Sequence, residues 1–256
     1  MKHTLTLAAW NFRLARRSLL ALWGIFAAQL LALVVCRISR QGAAGMGLAS
    51  HYYVTMQIFA YLGFYLLTGL AAGLATHNSR RARSGYTWAT LPGTPGQKFA
   101  AKSITIAAAE VVFTAWQFVW YIVEFYPVTA LEVHLARKLY GAALPPANLY
   151  EQVVANNLFS RLLPRRPLQL VILLGILALS ALLLAALDTV RGWRKLPVFA
   201  VDLLCAWQCF YLVTVEQHPA WMFTSASRNV TMALAAVLAV LTVWWAVRSI
   251  RRGETC

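Results

Sequence analysis

Residues 168–187, LQLVILLGILALSALLLAAL, run for twenty positions without a charged side chain. Wound as an α-helix at about 1.5 Å per residue, such a run is an apolar rod about 30 Å long, the thickness of a bilayer's hydrocarbon core. Five more windows share its character: Ser18 to Cys36, Tyr52 to Thr76, Ser103 to Val123, Leu196 to Val215 and Asn229 to Val247. Only Glu110 and Asp202 bring a charge into any of the six. Composition agrees, with 60% apolar and 12% charged residues against roughly half and a quarter in an average soluble domain. A disordered chain, a disulfide scaffold and an ordinary soluble domain are excluded. The expected fold is an all-α membrane protein with six transmembrane helices, about 18–36, 52–76, 103–123, 168–187, 196–215 and 229–247. No segment between them exceeds 44 residues, so residues 1–256 form a single transmembrane domain.

Lysine and arginine orient the bundle. With both termini in the cytoplasm, the inner segments hold 15 of the 23 basic residues and the outer segments hold 8. An excess of Lys and Arg marks the cytoplasmic side, so N- and C-termini are placed inside. The net charge of +15 is then a topology signal, and no nucleic-acid partner is called for. Cys36, Cys205, Cys209 and Cys256 are too scattered for a disulfide framework. A cleaved signal peptide is not expected, because a polar-to-amphipathic stretch, Met1 to Arg17, precedes the first apolar run.

The segments between spans differ in kind. Residues 4–17, TLTLAAWNFRLARR, can form an amphipathic N-terminal helix along anionic headgroups, or a plain basic flank. The loop 77–102 divides in two. Asn78 or Ser79 can cap a short cationic helix through about Ala89, which carries Arg80, Arg81, Arg83, Tyr86 and Trp88. Leu91-Pro92-Gly93-Thr94-Pro95-Gly96 then breaks the helix before the third span. On the other side, the outer loop 124–167 holds two amphipathic stretches, about 128–140 and 148–163, separated by Pro145-Pro146. Trp116, Phe118, Trp120, Tyr121, Phe125 and Tyr126 crowd the outer end of the third span and Trp244 and Trp245 the inner end of the last. They read as interfacial belts.

Chemistry of the usual kinds is not spelled out. Gly96 to Ser103 has the spacing of a phosphate loop, but Ala101 replaces its second glycine and no strand precedes it. There is no H-E-x-x-H pair and no G-x-S-x-G elbow, and the five histidines lie in five segments. No catalytic residue, cofactor site or metal site is assigned, and the chain is not expected to be an enzyme. Two intramembrane polar residues stand out, Glu110 and Asp202, because a charge at mid-membrane costs a few kcal/mol and needs a partner. For Glu110 the choice lies between a residue lining a polar path and a structural hydrogen bond; Asp202 can reach the inner interface near Arg194 and Lys195. Gly69-Leu70-Ala71-Ala72-Gly73 has the small-xxx-small spacing of close helix contacts.

A basic lead-in, two spans, a cationic cytoplasmic helix, a Leu-Pro turn with Lys98 and Lys102 entering the third span, and three further spans resemble the ABC-2 type of ABC transporter permease. Ser84 to Pro92 and Lys98 to Lys102 carry the likeness. The resemblance implies that Arg80, Arg81, Arg83, Tyr86, Trp88, Leu91 and Pro92 form a coupling element for a separate cytoplasmic ABC ATPase subunit, which would bind the ATP. It implies a second permease chain, alike or different, membrane lipid around both, and a multi-pass place in a bacterial plasma (inner) membrane. It also implies export of a peptide, drug or lipid-like substrate. The alternative is a stand-alone immunity or sensor protein that binds its ligand without ATP. The long outer loop before the fourth span departs from the family's pattern, which puts its elaborate outer element between the fifth and sixth spans.

Overall fold

The structure is a computed structural model, describing residues 2–41, 47–55, 57–74, 91–141, 147–156, 158–163, 167–190, 192–215 and 225–252. Among these residues all regular structure is helical. The helices are α1 (Lys2–Gln41), α2 (Leu48–Val54), α3 (Gln57–Leu74), α4 (Pro95–Tyr140), α5 (Leu149–Ala155), α6 (Phe159–Leu162), α7 (Pro167–Thr189), α8 (Lys195–Val215) and α9 (Ser225–Arg251). A 3-10 turn, Gly192–Arg194, precedes α8. Six of the helices, α1, α3, α4, α7, α8 and α9, overlap the six expected windows. Four of them, α1, α3, α4 and α9, are long and apolar enough to cross a membrane. The apolar part described in α7, Leu173–Thr189, is shorter. Large apolar side chains face outward, among them Ile25 on α1, Phe59 on α3 and Val237 and Val240 on α9, each more than half exposed. An exterior of this kind is compatible with surrounding hydrocarbon.

Three boundaries differ from the sequence reading. The amphipathic N-terminal helix is not separate from the first span: α1 runs unbroken for 40 residues. Leu7, Asn11, Ala15, Leu19, Trp23, Phe26, Leu30 and Val34 are all buried at helical spacing, so one face carries through both parts. The second span is not one helix from Tyr52. It divides into α2 and α3 at Thr55, whose hydroxyl donates to the His51 carbonyl at 2.7 Å while accepting from Gln57 Nε2 at 3.0 Å. Local side-chain bonds of this sort offer the backbone an alternative to helix. The third span does not stop at Val123. α4 continues through Pro127 to Tyr140, so the expected outer stretch 128–140 belongs to it. Proline within a helix removes one backbone donor without necessarily ending the helix.

The second outer stretch is two short helices, α5 and α6. Asn148 begins α5 by accepting from Tyr150 N. The Asn156 side chain ends it and starts the next turn, accepting from Leu158 N at 2.9 Å and Phe159 N at 3.3 Å. The start of α4 is built from Thr94-Pro95-Gly96-Gln97. Thr94 Oγ1 accepts from Gln97 N at 3.3 Å and Gln97 Oε1 accepts from Thr94 N at 3.0 Å, a reciprocal capping box with proline at the first helical position.

The chain forms two compact units. One comprises residues 1–17, 69–110 and 171–256. Its apolar packing includes Leu7, Ala8 and Ala101 with Leu91 against them, and Leu183, Cys205, Ala235 and Ala239 from α7, α8 and α9. The other comprises residues 18–68 and 111–170. Its centre is aromatic: Phe26 lies against Phe64 and Phe113, Tyr61 stacks on Phe113, and Phe159 packs on Phe118 and Tyr121. Tyr121 and Phe125 are therefore core residues and not members of an interfacial belt, whereas Tyr126 and Trp244 are exposed.

Candidate functional site

The unit containing both ends of the described chain holds two features of interest. The first is an anchored turn. Residues 91–94 bring the chain back into α4 from the basic loop. Leu91 packs on Leu7, Ala8 and Ala101, and His3 Nε2 donates to the Pro92 carbonyl. Thr105 Oγ1 is within hydrogen-bond reach of the Ala8 carbonyl at 3.2 Å and of its own helix at Ala101 at 2.9 Å. Gly93 sits at φ +144, a conformation that excludes a side chain without strain. The first turns of α1 and of α4 and the turn itself are thus one packed body. Of the residues the resemblance singles out, Leu91 and Pro92 lie in this body. Arg80, Arg81, Arg83, Tyr86 and Trp88 lie outside the described residues.

The second feature is a pair of polar rungs. Glu110 is fully buried on α4, and Ser180 on α7 donates to its Oε2 at 2.9 Å. Lys102 and Asp188, both nearly buried, form an ion pair between the same two helices. The rungs lie eight residues apart on each helix, which sets α4 and α7 antiparallel and separates the rungs by about 12 Å. α3 brings its glycines to them. A methyl group on Gly69 would fall 2.8 Å from Glu110 Oε1 and 2.4 Å from Leu184 Cδ1; one on Gly73 would fall 3.4 Å from the Asp188 side chain. The spacing Gly69-x-x-x-Gly73 is therefore a close-contact face whose neighbours are polar as well as apolar. Asp202, the other acid of the sequence reading, is partly buried on α8. Its two oxygens make no hydrogen bond among the described residues.

The other unit holds a polar stripe that sequence reasoning missed. Gln117, Tyr121, Glu124, Val128 and Glu132 fall at helical spacing along one buried face of α4. Against it lies α2. His51 Nε2 meets Glu132 Oε1 at 2.6 Å with both side chains almost wholly buried. Tyr52 donates to Glu124 Oε2 at 2.9 Å, and Gln117 Nε2 reaches the Tyr52 hydroxyl at 3.5 Å. The far side is closed by Gln152 of α5, whose carbonyl accepts from Tyr121 and whose Oε1 accepts from Ala49 N at 3.0 Å. Glu124 and Glu132 fell in the expected outer loop 124–167 because the apolar window of the third span ends at Val123. His51 looked like a lone interfacial histidine. The signal was available in the five-residue periodic set along α4, once the helix is carried through the proline.

Set against protein-family models, curated proteins and solved structures, the chain matches none. The site must be read from its own chemistry. Among the described residues no group of three or more His, Cys, Asp or Glu side chains is placed to hold a metal ion. What the arrangement offers is two buried polar centres within long apolar helices, and a turn at 91–94 packed against the first turns of α1 and α4.

Proposed function

We propose that this chain is the membrane-spanning permease subunit of an ATP-driven transporter, of the ABC-2 type that its sequence resembles. In this reading it spans a bacterial plasma membrane six times with both termini inside. A separate ABC ATPase docks on residues 79–90, a second permease chain completes the path, and the substrate is a peptide, drug or lipid-like molecule moved outward. The observation that carries the reading is the anchored turn at 91–94. A docked subunit pushing on 79–90 would move a body that includes the first turns of α1 and α4 together, and the buried rungs Lys102–Asp188 and Glu110–Ser180 hang from that same stretch of α4. Displacement would thereby reach the polar interior without bending a loop. This is a two-state claim, and it needs evidence of coupling rather than of proximity.

The test is isolation of the tagged full chain from its native membrane in mild detergent, with quantification of what accompanies it. A stoichiometric soluble ATPase, lost on replacing Arg81, Arg83 and Tyr86 by Glu, Glu and Ala while the chain stays folded, is the expected result. Retention of the ATPase and of transport by that variant would refute the docking assignment. A stable preparation of this chain alone that binds a ligand without ATP would favour the stand-alone immunity or sensor protein.

A further inference from the structure

The polar stripe of α4 and the short helix α2 raise a question of charge balance. His51, Glu124 and Glu132 are 0%, 2% and 3% exposed. Among the described residues no lysine or arginine pairs with either glutamate, whose polar partners are Tyr52 and His51. The groups acting on Glu124 are Tyr52 and His51 from α2 and Tyr121 from its own helix; Gln117 meets the Tyr52 hydroxyl and the Gln152 carbonyl meets Tyr121, both without charge. With neither His51 nor the carboxylates protonated, the cluster carries two negative charges out of water. A proton on His51 makes a neutral pair with Glu132 and leaves the charge on Glu124. A second proton, on Glu124, cancels it. Burying an uncompensated charge is costly, and a buried group relieves that cost by binding a proton or finding a counter-charge.

Two further atoms point the same way. Glu124 Oε1 has no hydrogen-bond partner among the described residues. Gln117, fully buried, aims its amide at the Tyr52 hydroxyl, and its Oε1 also lacks a donor. His51 Nδ1 is likewise buried without a hydrogen-bond partner among the described residues, so the centre leaves three polar atoms unpaired beside its two carboxyl groups. We infer that Glu124, with the His51–Glu132 pair beside it, is a proton-binding site that fastens α2 onto α4, so that closure of α2 and uptake of a proton are one event. The proton comes from solvent when α2 closes and returns there when it opens; no covalent step is involved. The inference stands on the second unit alone and does not depend on ATPase docking.

Linkage sets the sign. If the closed state holds one proton more than the open state, the open fraction rises about tenfold per pH unit where that proton is released. The replacement Glu124→Gln mimics the protonated acid and keeps an oxygen for the Tyr52 hydroxyl, so it should hold α2 closed and flatten that slope. Two readings on the full chain in lipid nanodiscs test this. Infrared spectroscopy near neutral pH should show the C=O stretch of a protonated carboxyl group that E124Q loses. A cysteine placed at Ala49, in a background with the native cysteines replaced, should label faster as pH rises, measured against a cysteine at the exposed Tyr53 position. The E124Q background should abolish the rise. A spectrum unchanged by E124Q, or labelling at position 49 that tracks the position 53 control at every pH, would overturn the inference. Because E124Q is a near-isostere, a thermal melt like that of the parent separates either outcome from misfolding.

Discussion

Gly69 and Gly73 make one sequence pattern but two different contacts, and the difference can be measured. Replacing Gly69 with alanine would put a methyl carbon 2.4 Å from Leu184 Cδ1, 2.8 Å from Glu110 Oε1 and 3.2 Å from Ile106 Cγ2. Carbon atoms prefer about 3.5–4.0 Å. Neither near neighbour is free to retreat: Leu184 is 5% exposed, and the Glu110 carboxyl is tied to Ser180. Overpacking of this kind costs about 1–3 kcal/mol. At Gly73 the nearest atoms are those of Asp188 at 3.4–3.5 Å, which is ordinary contact. Gly73→Ala then gains some of the 0.5–1 kcal/mol, roughly, by which alanine exceeds glycine inside a helix. That gain is common to both positions, so the two variants should differ by about 1–3 kcal/mol, with Gly69→Ala below the parent and Gly73→Ala at or above it. Reversible unfolding of the purified chain in mixed micelles, followed by circular dichroism, reads this directly. A second comparison checks the cause: G69A combined with Leu184→Ala should cost less than the sum of its parts, because the shorter side chain makes room for the new methyl. Equal losses for G69A and G73A, or strict additivity of G69A with L184A, would show that the glycines act through something other than the contacts described.

Three further outcomes follow from single features. Lys102→Met breaks the buried ion pair with Asp188 and should destabilise the chain by about 3–5 kcal/mol, and adding Asp188→Leu should recover much of that loss in the same assay. Asn11 is fully buried with neither amide atom hydrogen-bonded among the described residues, so Asn11→Leu should be neutral or stabilising; a fall in stability with loss of transport would show that this amide meets a functional partner. Thr94→Ala removes one half of the capping box at the start of α4 and should cost about 1 kcal/mol in thermal stability, with Thr94→Ser restoring it.

Apolar windows made the long helices legible, whereas Thr94 to Gln97 was read only as part of a helix break, although its Thr-x-x-Gln spacing is that of the capping box that starts α4. The polar interior was legible only where a single acid interrupted an apolar run. Glu110 is such a case, because its isolation among apolar neighbours announced a buried carboxyl. Lys102 and Asp188 lie just outside the expected spans 103–123 and 168–187, where a charge is ordinarily solvated, and nothing local distinguishes their pairing. Glu124 and Glu132 flank Pro127 and were placed in the outer loop because the apolar window ends at Val123; the usual inference from proline to helix end points the same way. That inference holds where water can take the freed carbonyl and solvate the chain. Inside a long packed helix the proline removes one donor while the surrounding apolar face still has to be buried, so continuing the helix costs less than exposing that face. The same trade explains α2. Thr55 and Gln57 could interrupt an apolar run only because the interrupted turn finds its own side-chain partners, and the interruption then turns His51 and Tyr52 toward the acids of α4. The interruption at Thr55 and the unbroken passage of α4 through Pro127 thus act together, the first freeing α2 as a separate helix and the second carrying Glu132 far enough along α4 to meet His51.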